Sequence, residues 1–379
     1  MKEFFISIRN KVSRFLYKSL ARKIFFLIDP EKIHNWMLIF GQFLGSNPIT
    51  RGITAFFFSY SNKKLEQTIL GMHFKNPVGL AAGFDKNSRI IDIMKPTGFG
   101  FTEVGSITGE PCYGNPKPRL WRLIKSQGLL INYGLTNDGS EKISKRLAKK
   151  HFKIPVAISI AKTNCKEAST VEGGIADYVK AYKAFADIGN FSVINISCPN
   201  AHGGEPFTDP QKLEKLLAEI TKIPTKKPIF IKIAPDLEDE MTDQIIEISQ
   251  KYGVKGFICT NLTKNRSNSK ILEKNLAAQG SISGKPIEDL ANKMIAHVYK
   301  KTGGKSVIIG VGGISSAEDA YRKIKLGASL VQLITGMIYE GPQLISEINQ
   351  GLVKLLKKDG FKNVSEAVGA GPAQYASFK

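Results

Sequence analysis

The sequence predicts an α/β fold, a closed (β/α)8 TIM barrel with an N-terminal helical extension. Three observations support this fold class: short apolar, β-branched runs alternate with longer amphipathic segments, eight such runs occur, and most end in glycine or polar residues. Such alternation is typical of βα units, and eight parallel strands close a barrel. The runs cover residues 77–83, 100–108, 156–163, 191–197, 228–235, 256–262, 306–314 and 330–337.

The N-terminal segment, residues 1–46, differs in pattern from the rest of the chain. Up to Lys23 it places phenylalanine, isoleucine, leucine and valine at helical spacing among lysines and arginines. A second apolar segment covers 24–28, and Pro30 would start a helix over 31–44. A basic amphipathic helix can lie on an anionic membrane surface. The alternative is that these helices only pack on the main domain.

The remaining residues divide at changes in this pattern. Residues 47–76 are expected to form a linker and lead-in, because Asn47-Pro48 interrupts the helical pattern. The barrel domain is expected over 77–358 and a C-terminal tail over 359–379. Two long rim segments, 109–155 and 263–281, interrupt the barrel. The helices expected between runs cover 139–150, 174–188, 209–221, 236–252, 286–300 and 316–326.

Composition excludes several classes of protein but does not identify a binding partner. The formal net charge of +21 is spread along the chain, so a solvated basic surface accounts for most of it. The four cysteines lie far apart, which argues against a metal cluster or a disulfide framework and fits a reducing compartment. No apolar run is long enough for a transmembrane helix, and no signal-peptide pattern is expected.

The fourth run ends in residues 195–200, whose side chains could take part in a reaction. Asn195 and Asn200 flank the thiol of Cys198, and a proline breaks the strand between them. The thiol could move a proton, and the amides could hold a planar polar ligand. The alternative is that Cys198 is a small core residue and the asparagines form turns.

Other strand ends carry cations, neutral hydrogen-bonding groups and glycines. Lys232 lies inside an apolar run, where an ammonium is costly unless it meets an anion or an acceptor. Gly312-Gly313 and Thr335-Gly336 follow the last two runs, where barrels commonly bind phosphate. The alternative for these glycines is a tight turn. Together these groups indicate a phosphorylated cofactor deep in the mouth and a small anionic substrate above it. Lys86, Thr260 and Asn261 are further candidates.

Five stretches of the sequence resemble dihydroorotate dehydrogenases, in order and at the spacing of that family. They are residues 76–87, 98–105, 114–120, 232–237 and 309–314. The resemblance runs from about residue 29 to residue 348. The N-terminal helices and the stretch Asp29-Pro30-Glu31 with His34 resemble the membrane-associated, quinone-using class 2 branch.

The resemblance implies a β/α barrel that holds FMN and oxidises dihydroorotate to orotate in pyrimidine synthesis. It implies a quinone as electron acceptor, a peripheral position on the cytoplasmic side of the cell membrane, and no nucleic acid or metal. Cys198 falls on the catalytic base. The cofactor positions are Ala82, Gly83, Lys86, Ser106, Ser159, Asn195, Lys232, Thr260, Gly284, Gly313 and Thr335. The substrate positions are Lys86, Asn132, Asn195, Asn200 and Asn261.

Four positions depart from the class 2 pattern. Cys198 replaces serine and matches the soluble class 1 members instead; with a reference pKa of about 8.5, a thiol should lose its proton more easily than a hydroxyl. Ser159 replaces an asparagine expected to contact the flavin. The stretch around Asn132 is one residue short, so Asn137 could take its role. Leu262 replaces a hydroxyl-bearing residue on the substrate side.

Three alternatives remain open from the sequence. A soluble class 1-like enzyme would use fumarate or a nicotinamide-linked partner and lie in the cytoplasm. An RNA-modifying flavin barrel similar to dihydrouridine synthases would suit the charge and the cysteine, although no added RNA-binding domain is evident. A basic scaffold without catalysis would bind no yellow cofactor.

Overall fold

Eight parallel strands close into a barrel in this computed structural model, which describes residues 1–371 and confirms the predicted fold class. The strands of the described chain are β1 (Gln67–Ile69), β2 (Met72–Phe74), β3 (Val78–Leu80), β4 (Phe101–Ile107), β5 (Leu120–Leu123), β6 (Gly128–Ile131), β7 (Val156–Ile160), β8 (Phe191–Asn195), β9 (Ile229–Ile233), β10 (Gly256–Cys259), β11 (Ser281–Gly284), β12 (Val307–Val311) and β13 (Leu330–Leu333). Around the barrel the order is β3-β4-β7-β8-β9-β10-β12-β13, and each barrel strand lies within one of the predicted runs.

Helices lie between the barrel strands and before the barrel. They are α1 (Lys2–Leu16), α2 (Arg22–Leu27), α3 (Pro30–Gly45), α4 (Pro48–Phe58), α5 (Ile91–Met94), α6 (Ser140–Leu147), α7 (Val171–Ala184), α8 (Pro210–Ile220), α9 (Asp239–Lys251), α10 (Glu288–Thr302), α11 (Ala317–Lys325), α12 (Thr335–Glu340) and α13 (Leu344–Lys358). Each of the helices expected between the runs corresponds to one of these.

The barrel interior is apolar at the amino ends of the strands. Side chains alternate between the two faces of a strand, so Phe101, Phe191 and Phe230 point inward together. Strands β1 and β2 form an antiparallel hairpin whose Phe74 joins this cluster, with its ring centre 5.6 Å from that of Phe101. This end of the barrel is therefore filled, and the polar groups are left at the carboxyl ends.

A small antiparallel sheet covers one side of the barrel mouth. The predicted rim segment 109–155 supplies β5 and β6, and the second rim segment leads into β11, which pairs with β6. Arg119, beside β5, forms an ion pair of 2.8 Å with Glu31 on α3. The rim sheet is thus fastened to the N-terminal helices.

The segment expected to be a linker contains a helix and a hairpin. The side chain of Asn47 accepts a hydrogen bond from the backbone N–H of Thr50 at 3.0 Å, and Pro48 occupies the first turn of α4. An asparagine cap followed by proline is a favoured helix start. The same dipeptide that interrupts α3 therefore begins the next helix.

Helix α1 packs on the barrel through its polar side chains. Arg9 donates to the hydroxyl of Ser346 on α13 at 2.7 Å, Asn10 donates to the same hydroxyl at 3.2 Å, and Arg14 pairs with Glu347. A single π-helical stretch, Tyr17–Ala21, joins α1 to α2. Ile6 packs on the core, but the other apolar side chains of α1 point away from the barrel, with Phe4, Phe5, Ile8, Val12, Phe15 and Leu16 exposed.

The chain beyond α13 packs back on the barrel. A 3-10 turn over Val364–Ala367 buries both of its terminal side chains completely. Of the tail expected over 359–379, residues 372–379 lie outside the described residues. Among residues 1–371, helices that combine the length and the apolar character needed to cross a bilayer are absent.

Candidate functional site

A cavity of about 510 Å³ opens at the carboxyl ends of the barrel strands. Loops after parallel strands all emerge at this end, so residues distant in sequence meet there. Most of the predicted site residues line the cavity: Ala82, Gly83, Lys86, Ser106, Asn195, Cys198, Asn200, Lys232, Thr260, Asn261, Gly284, Gly313 and Thr335. Ser159 and Asn132 do not form part of its wall.

Glycines form a close-fitting cradle on one side of the cavity. A Cβ added to Gly313 would lie 2.4 Å from the Cβ of Glu288, and one added to Gly336 would lie 2.0 Å from the carbonyl oxygen of Ile314. No side chain fits at either position, so the cavity is lined there by glycine backbone. The hydroxyls of Ser283 and Thr335 lie 2.9 Å apart beside them. Such a cradle suits a phosphate group.

Lys232 projects into the interior of the barrel and reaches the cavity wall. Its Nζ lies 3.6 Å from Oε2 of Glu103, a fully buried carboxylate on β4. From the sequence we expect a ligand to meet this ammonium, and the structure places a protein carboxylate beside it inside the barrel. The amide of Gln332 is also fully buried without a hydrogen-bond partner among residues 1–371. Unpaired polar groups below the cavity are the pattern expected where a polar ring system binds.

A hydrogen-bonded chain of serines and asparagines connects the cavity floor to its mouth. The hydroxyls of Ser106 and Ser159 lie 2.8 Å apart, and the amide of Asn195 donates to Ser106 at 2.9 Å. The amide of Asn261 donates to Oδ1 of Asn195 at 3.2 Å and to the carbonyl of Ser197 at 2.6 Å. Ser159 therefore supports the cavity wall through Ser106 rather than forming it.

Cys198 lies in the loop after β8 and faces the cavity. Burial raises the pKa of its thiol to about 11, against a backbone hydrogen bond at Asn200 and the charge of Lys162, which lower it. The charge of Glu205 raises it further. The expected ease of deprotonation is thus reduced, because the reference value assumes full hydration. Most of the Cys198 population is a thiol at neutral pH.

Lys86 supplies a second ammonium at the cavity wall. Its Nζ lies 3.8 Å from the ring centre of Tyr133, a cation–π contact. Burial lowers the pKa of Lys86 to about 7, although the nearby carboxylate of Glu31 favours the charged form. A bound anion would restore the charge, because an opposite charge favours the ammonium.

The two asparagines considered for the substrate have different surroundings. The amide of Asn115 donates to Oδ1 of Asn132 and to the carbonyl of Asn200, each at 3.0 Å. Asn132 is thus linked to a residue of the cavity wall. Asn137 donates to Thr108 at 2.8 Å, and its own oxygen accepts from two backbone N–H groups. Asn137 is therefore fully engaged in holding the rim segment.

The cavity continues as an apolar tunnel between the N-terminal helices, which the sequence did not predict. Phe25 and Phe26 of α2 and Met37 of α3 line it, and the half-exposed Phe40 lies on α3 as well. These contacts depend on how α2 and α3 pack on the barrel, so no local sequence pattern predicts them. The lining includes Tyr17, Phe25, Phe26, Pro30, Ile33, His34, Met37, Phe40, Leu120 and Arg122.

Two polar side chains interrupt the apolar tunnel wall. Nε2 of His34 donates to the carbonyl of Phe84 at 2.9 Å, and burial lowers the pKa of the imidazole to about 3. His34 is therefore neutral, with Nδ1 as an acceptor. Arg122 packs on the ring of Phe26 at 4.7 Å and donates to the carbonyl of Ile28 at 2.8 Å. The sequence indicated His34 only through its place in the stretch that begins at Asp29.

Comparison with known proteins identifies what the chain is similar to. The family profile described as dihydroorotate dehydrogenase matches residues 64–356. A dihydroorotate dehydrogenase (quinone) of Sulfurovum sp. is 40% identical over 352 residues, which cover 92% of this chain and 97% of that relative. The protein of the same name from Natronomonas pharaonis is 38% identical over 351 residues, covering 92% and 98%.

Solved structures agree with this comparison. The crystal structure of dihydroorotate dehydrogenase from Eimeria tenella in complex with ferulenol superposes with a TM-score of 0.79 at 30% identity, covering 90% of this chain and 95% of that chain. The ligand-free form of the Eimeria protein gives a TM-score of 0.78, also at 30% identity, covering 90% and 99%.

Proposed function

The chain belongs to the dihydroorotate dehydrogenase family and oxidises dihydroorotate to orotate in pyrimidine biosynthesis, and we propose that it does so with FMN in the barrel mouth and a quinone in the apolar tunnel. One observation carries the proposal: a single cavity joins the glycine cradle and the two ammonium groups to the space between α2 and α3. A cofactor in that cavity would be accessible to a polar substrate and to an apolar one.

The cradle and the interior polar groups fit FMN. Gly284, Gly313 and Thr335 would hold its phosphate, because their N–H and hydroxyl groups lie on one side of the cavity. Lys232 and Thr260 would hold its ring, with Ala82, Gly83, Ser106 and Asn195 completing the pocket. When bound, FMN supplies the acceptor for a hydride and the donor of electrons to the second substrate. Ser159 acts through its contact with Ser106.

The substrate side is formed by asparagines and a lysine. Asn195, Asn200 and Asn261 present amides that suit the ring carbonyl and N–H groups of dihydroorotate. Lys86 supplies positive charge for the carboxylate. Asn132 lies outside the cavity wall and accepts a hydrogen bond from Asn115.

Cys198 is the base in this proposal. Its Sγ takes the proton from the carbon next to the ring carbonyl of dihydroorotate as the neighbouring carbon is oxidised. The raised pKa makes the thiolate scarce at neutral pH but a strong base where it forms.

The tunnel suits the ring of a quinone. Phe25, Phe26 and Met37 offer an apolar wall, while Arg122 offers N–H groups to a quinone oxygen. The N-terminal helices would bring this tunnel to the membrane, where quinones dissolve.

An anionic membrane surface is the proposed partner of the N-terminal helices. The exposed apolar residues on α1 to α4 include Phe4 at 66%, Phe15 at 68%, Ile49 at 75% and Phe56 at 73% of full exposure. Monomeric proteins rarely expose so much contiguous apolar surface, and basic Lys11 lies on the same segment. We therefore place the protein peripherally on the cytoplasmic side of the cell membrane.

Anaerobic mixing tests this proposal. Purified protein is mixed with dihydroorotate while flavin absorbance is followed, and the reduced protein is then offered a short-chain quinone or fumarate. We expect bleaching by dihydroorotate and recovery with the quinone. Recovery with fumarate alone would identify a soluble class 1-like enzyme, and an absence of bleaching would contradict FMN-dependent oxidation by this site.

A further inference from the structure

Glu103 is a buried carboxylate for which the proposed reaction has no use. It lies on β4 with no solvent exposure, and neither of its side-chain oxygens has a hydrogen-bond partner within residues 1–371. Burying a carboxylate without compensation is strongly unfavourable. A carboxylate in this position therefore needs a nearby positive charge.

The only counter-charge paired with Glu103 in the described chain is Lys232. The distance of 3.6 Å between Lys232 Nζ and Glu103 Oε2 is within range of strong attraction but longer than a hydrogen bond. The two residues come from strands on different parts of the barrel wall and meet in its interior. Lys232 also lines the cavity, whereas Glu103 does not. The carboxylate therefore lies behind the ammonium, as seen from the cavity.

This arrangement leaves the ammonium free to donate to a ligand while its charge is offset from behind. A hydrogen bond to Glu103 would use one of the three N–H groups of Lys232, whereas a pair separated by 3.6 Å leaves all three for other acceptors. In a buried site, charges this close act strongly on each other and on any third group. The ammonium of Lys232 can therefore donate into the cavity, while the Lys232–Glu103 pair as a whole carries little net charge.

We propose that Glu103 is a positioning residue that acts through Lys232 and limits how strongly the site favours the reduced flavin over the oxidised flavin. This inference rests on the proposed placement of FMN beside Lys232. Reduced flavin carries more negative charge than oxidised flavin, so an uncompensated ammonium would bind it preferentially. The carboxylate of Glu103 weakens that preference, and the reduced cofactor remains a good electron donor.

The test compares Glu103→Gln with the wild type in FMN affinity and in the reduction potential of the bound flavin. Glutamine keeps the shape and removes the charge. We expect the ratio of affinities for reduced and oxidised FMN to shift at least tenfold towards the reduced form, which is about 30 mV for a two-electron couple. A ratio within twofold of the wild type, or a shift towards the oxidised form, would overturn the inference.

Glu110→Gln is the matched control. Glu110 lies just beyond the same strand, is exposed and pairs with Lys180 on the surface. Its replacement removes the same charge outside the barrel, and we expect the affinity ratio to remain within twofold of the wild type. A shift equal to that of Glu103→Gln would mean that net charge, rather than the interior pair, sets the ratio.

A second measurement decides the pairing even if Glu103→Gln folds poorly or FMN is not taken up. Lys232→Met leaves Glu103 as an unpaired buried charge, whereas Lys232→Met with Glu103→Gln removes both charges. We expect the double variant to unfold at a higher temperature than the single variant. If the double variant unfolds at the same or a lower temperature, Glu103 is not the counter-charge of Lys232. A wild type without FMN uptake would instead contradict the proposed function.

Discussion

At the scale of single residues, the environment of Cys198 decides how the proposed base works. Burial and the charge of Glu205 oppose ionisation, while Lys162 and the backbone at Asn200 favour it, and the raised pKa of the thiol is the net result. A serine at this position would be still harder to ionise. The cysteine therefore retains an advantage over a hydroxyl, although a smaller one than its reference value suggests.

Replacing Cys198 with alanine should separate binding from chemistry. We expect Cys198→Ala to keep its flavin, because the cradle residues are untouched, and to reduce it about 10²- to 10⁴-fold more slowly with dihydroorotate, as for loss of a general base. Stopped-flow absorbance measures the rate. Cys165→Ala is the control, since Cys165 does not line the cavity. Unchanged reduction in Cys198→Ala would exclude this thiol from the mechanism.

The pH dependence of flavin reduction should follow the Cys198 thiol. Because burial raises its pKa to about 11, the thiolate is a minor species at neutral pH and increases with each step towards that value. We expect the reduction rate to rise about tenfold per pH unit between about pH 7 and pH 9. A rate that reaches its plateau below about pH 8 would show that bound substrate or flavin lowers the thiol pKa, or that another group is the base.

At the scale of secondary-structure elements, helix α1 has an unusual orientation. Arg9, Asn10 and Arg14 contact the barrel, and the phenylalanines of the helix point to solvent. A surface helix of a soluble domain normally has the opposite orientation. These polar contacts hold the helix in one orientation on the barrel, so its apolar side faces the solvent.

Removing α1 and α2 tests the membrane role of that surface. We expect a variant lacking residues 1–28 to stay in the supernatant when mixed with liposomes containing anionic lipid, while the full chain sediments with them. Quinone reduction should fall as well, because Phe25 and Phe26 line the tunnel. Flavin reduction by dihydroorotate is the internal control and should persist. Sedimentation of the shortened chain would contradict the helical anchor.

Some of the helices and strands could be predicted from the sequence and others could not. All barrel strands follow from apolar runs, because period and composition are local properties. Helix α4 was missed because Asn47-Pro48 ends one pattern and starts another, and the dipeptide alone does not distinguish the two. The tunnel and the partnership of Glu103 with Lys232 require strand register and helix packing, which no local stretch contains.

At the scale of the whole molecule, stability combines a large apolar core with several buried ammonium groups. Lys323 on α11 is fully buried and donates to Asn292 on α10 at 2.8 Å. Burial lowers its pKa to about 7, although Glu288 favours the charged form. Lys86 has a similarly lowered pKa in the cavity. Such groups make the folded state bind fewer protons than the unfolded chain above neutral pH.

The contribution of Lys323 to the free energy of unfolding should therefore rise with pH above neutrality. Between about pH 7 and pH 10, the unfolded lysines remain protonated while Lys323 in the folded state does not, so stability increases with pH through this group. We expect Lys323→Met to flatten that slope in urea unfolding. Lys325→Met, on the same helix near the surface, should keep the slope. An unchanged slope in Lys323→Met would mean that other groups account for it.

In the proposed function, the tunnel between α2 and α3 takes its quinone from the lipid bilayer. A tunnel that draws its quinone from a bilayer is sensitive to the mole fraction of quinone among the lipids and not to its amount per volume of solution. Diluting loaded vesicles with buffer that holds dihydroorotate at the same concentration would leave turnover of the bound enzyme unchanged, whereas fusing them with quinone-free lipid would slow it. The orotate half of the reaction would respond in the opposite way, because its substrate is dissolved in water.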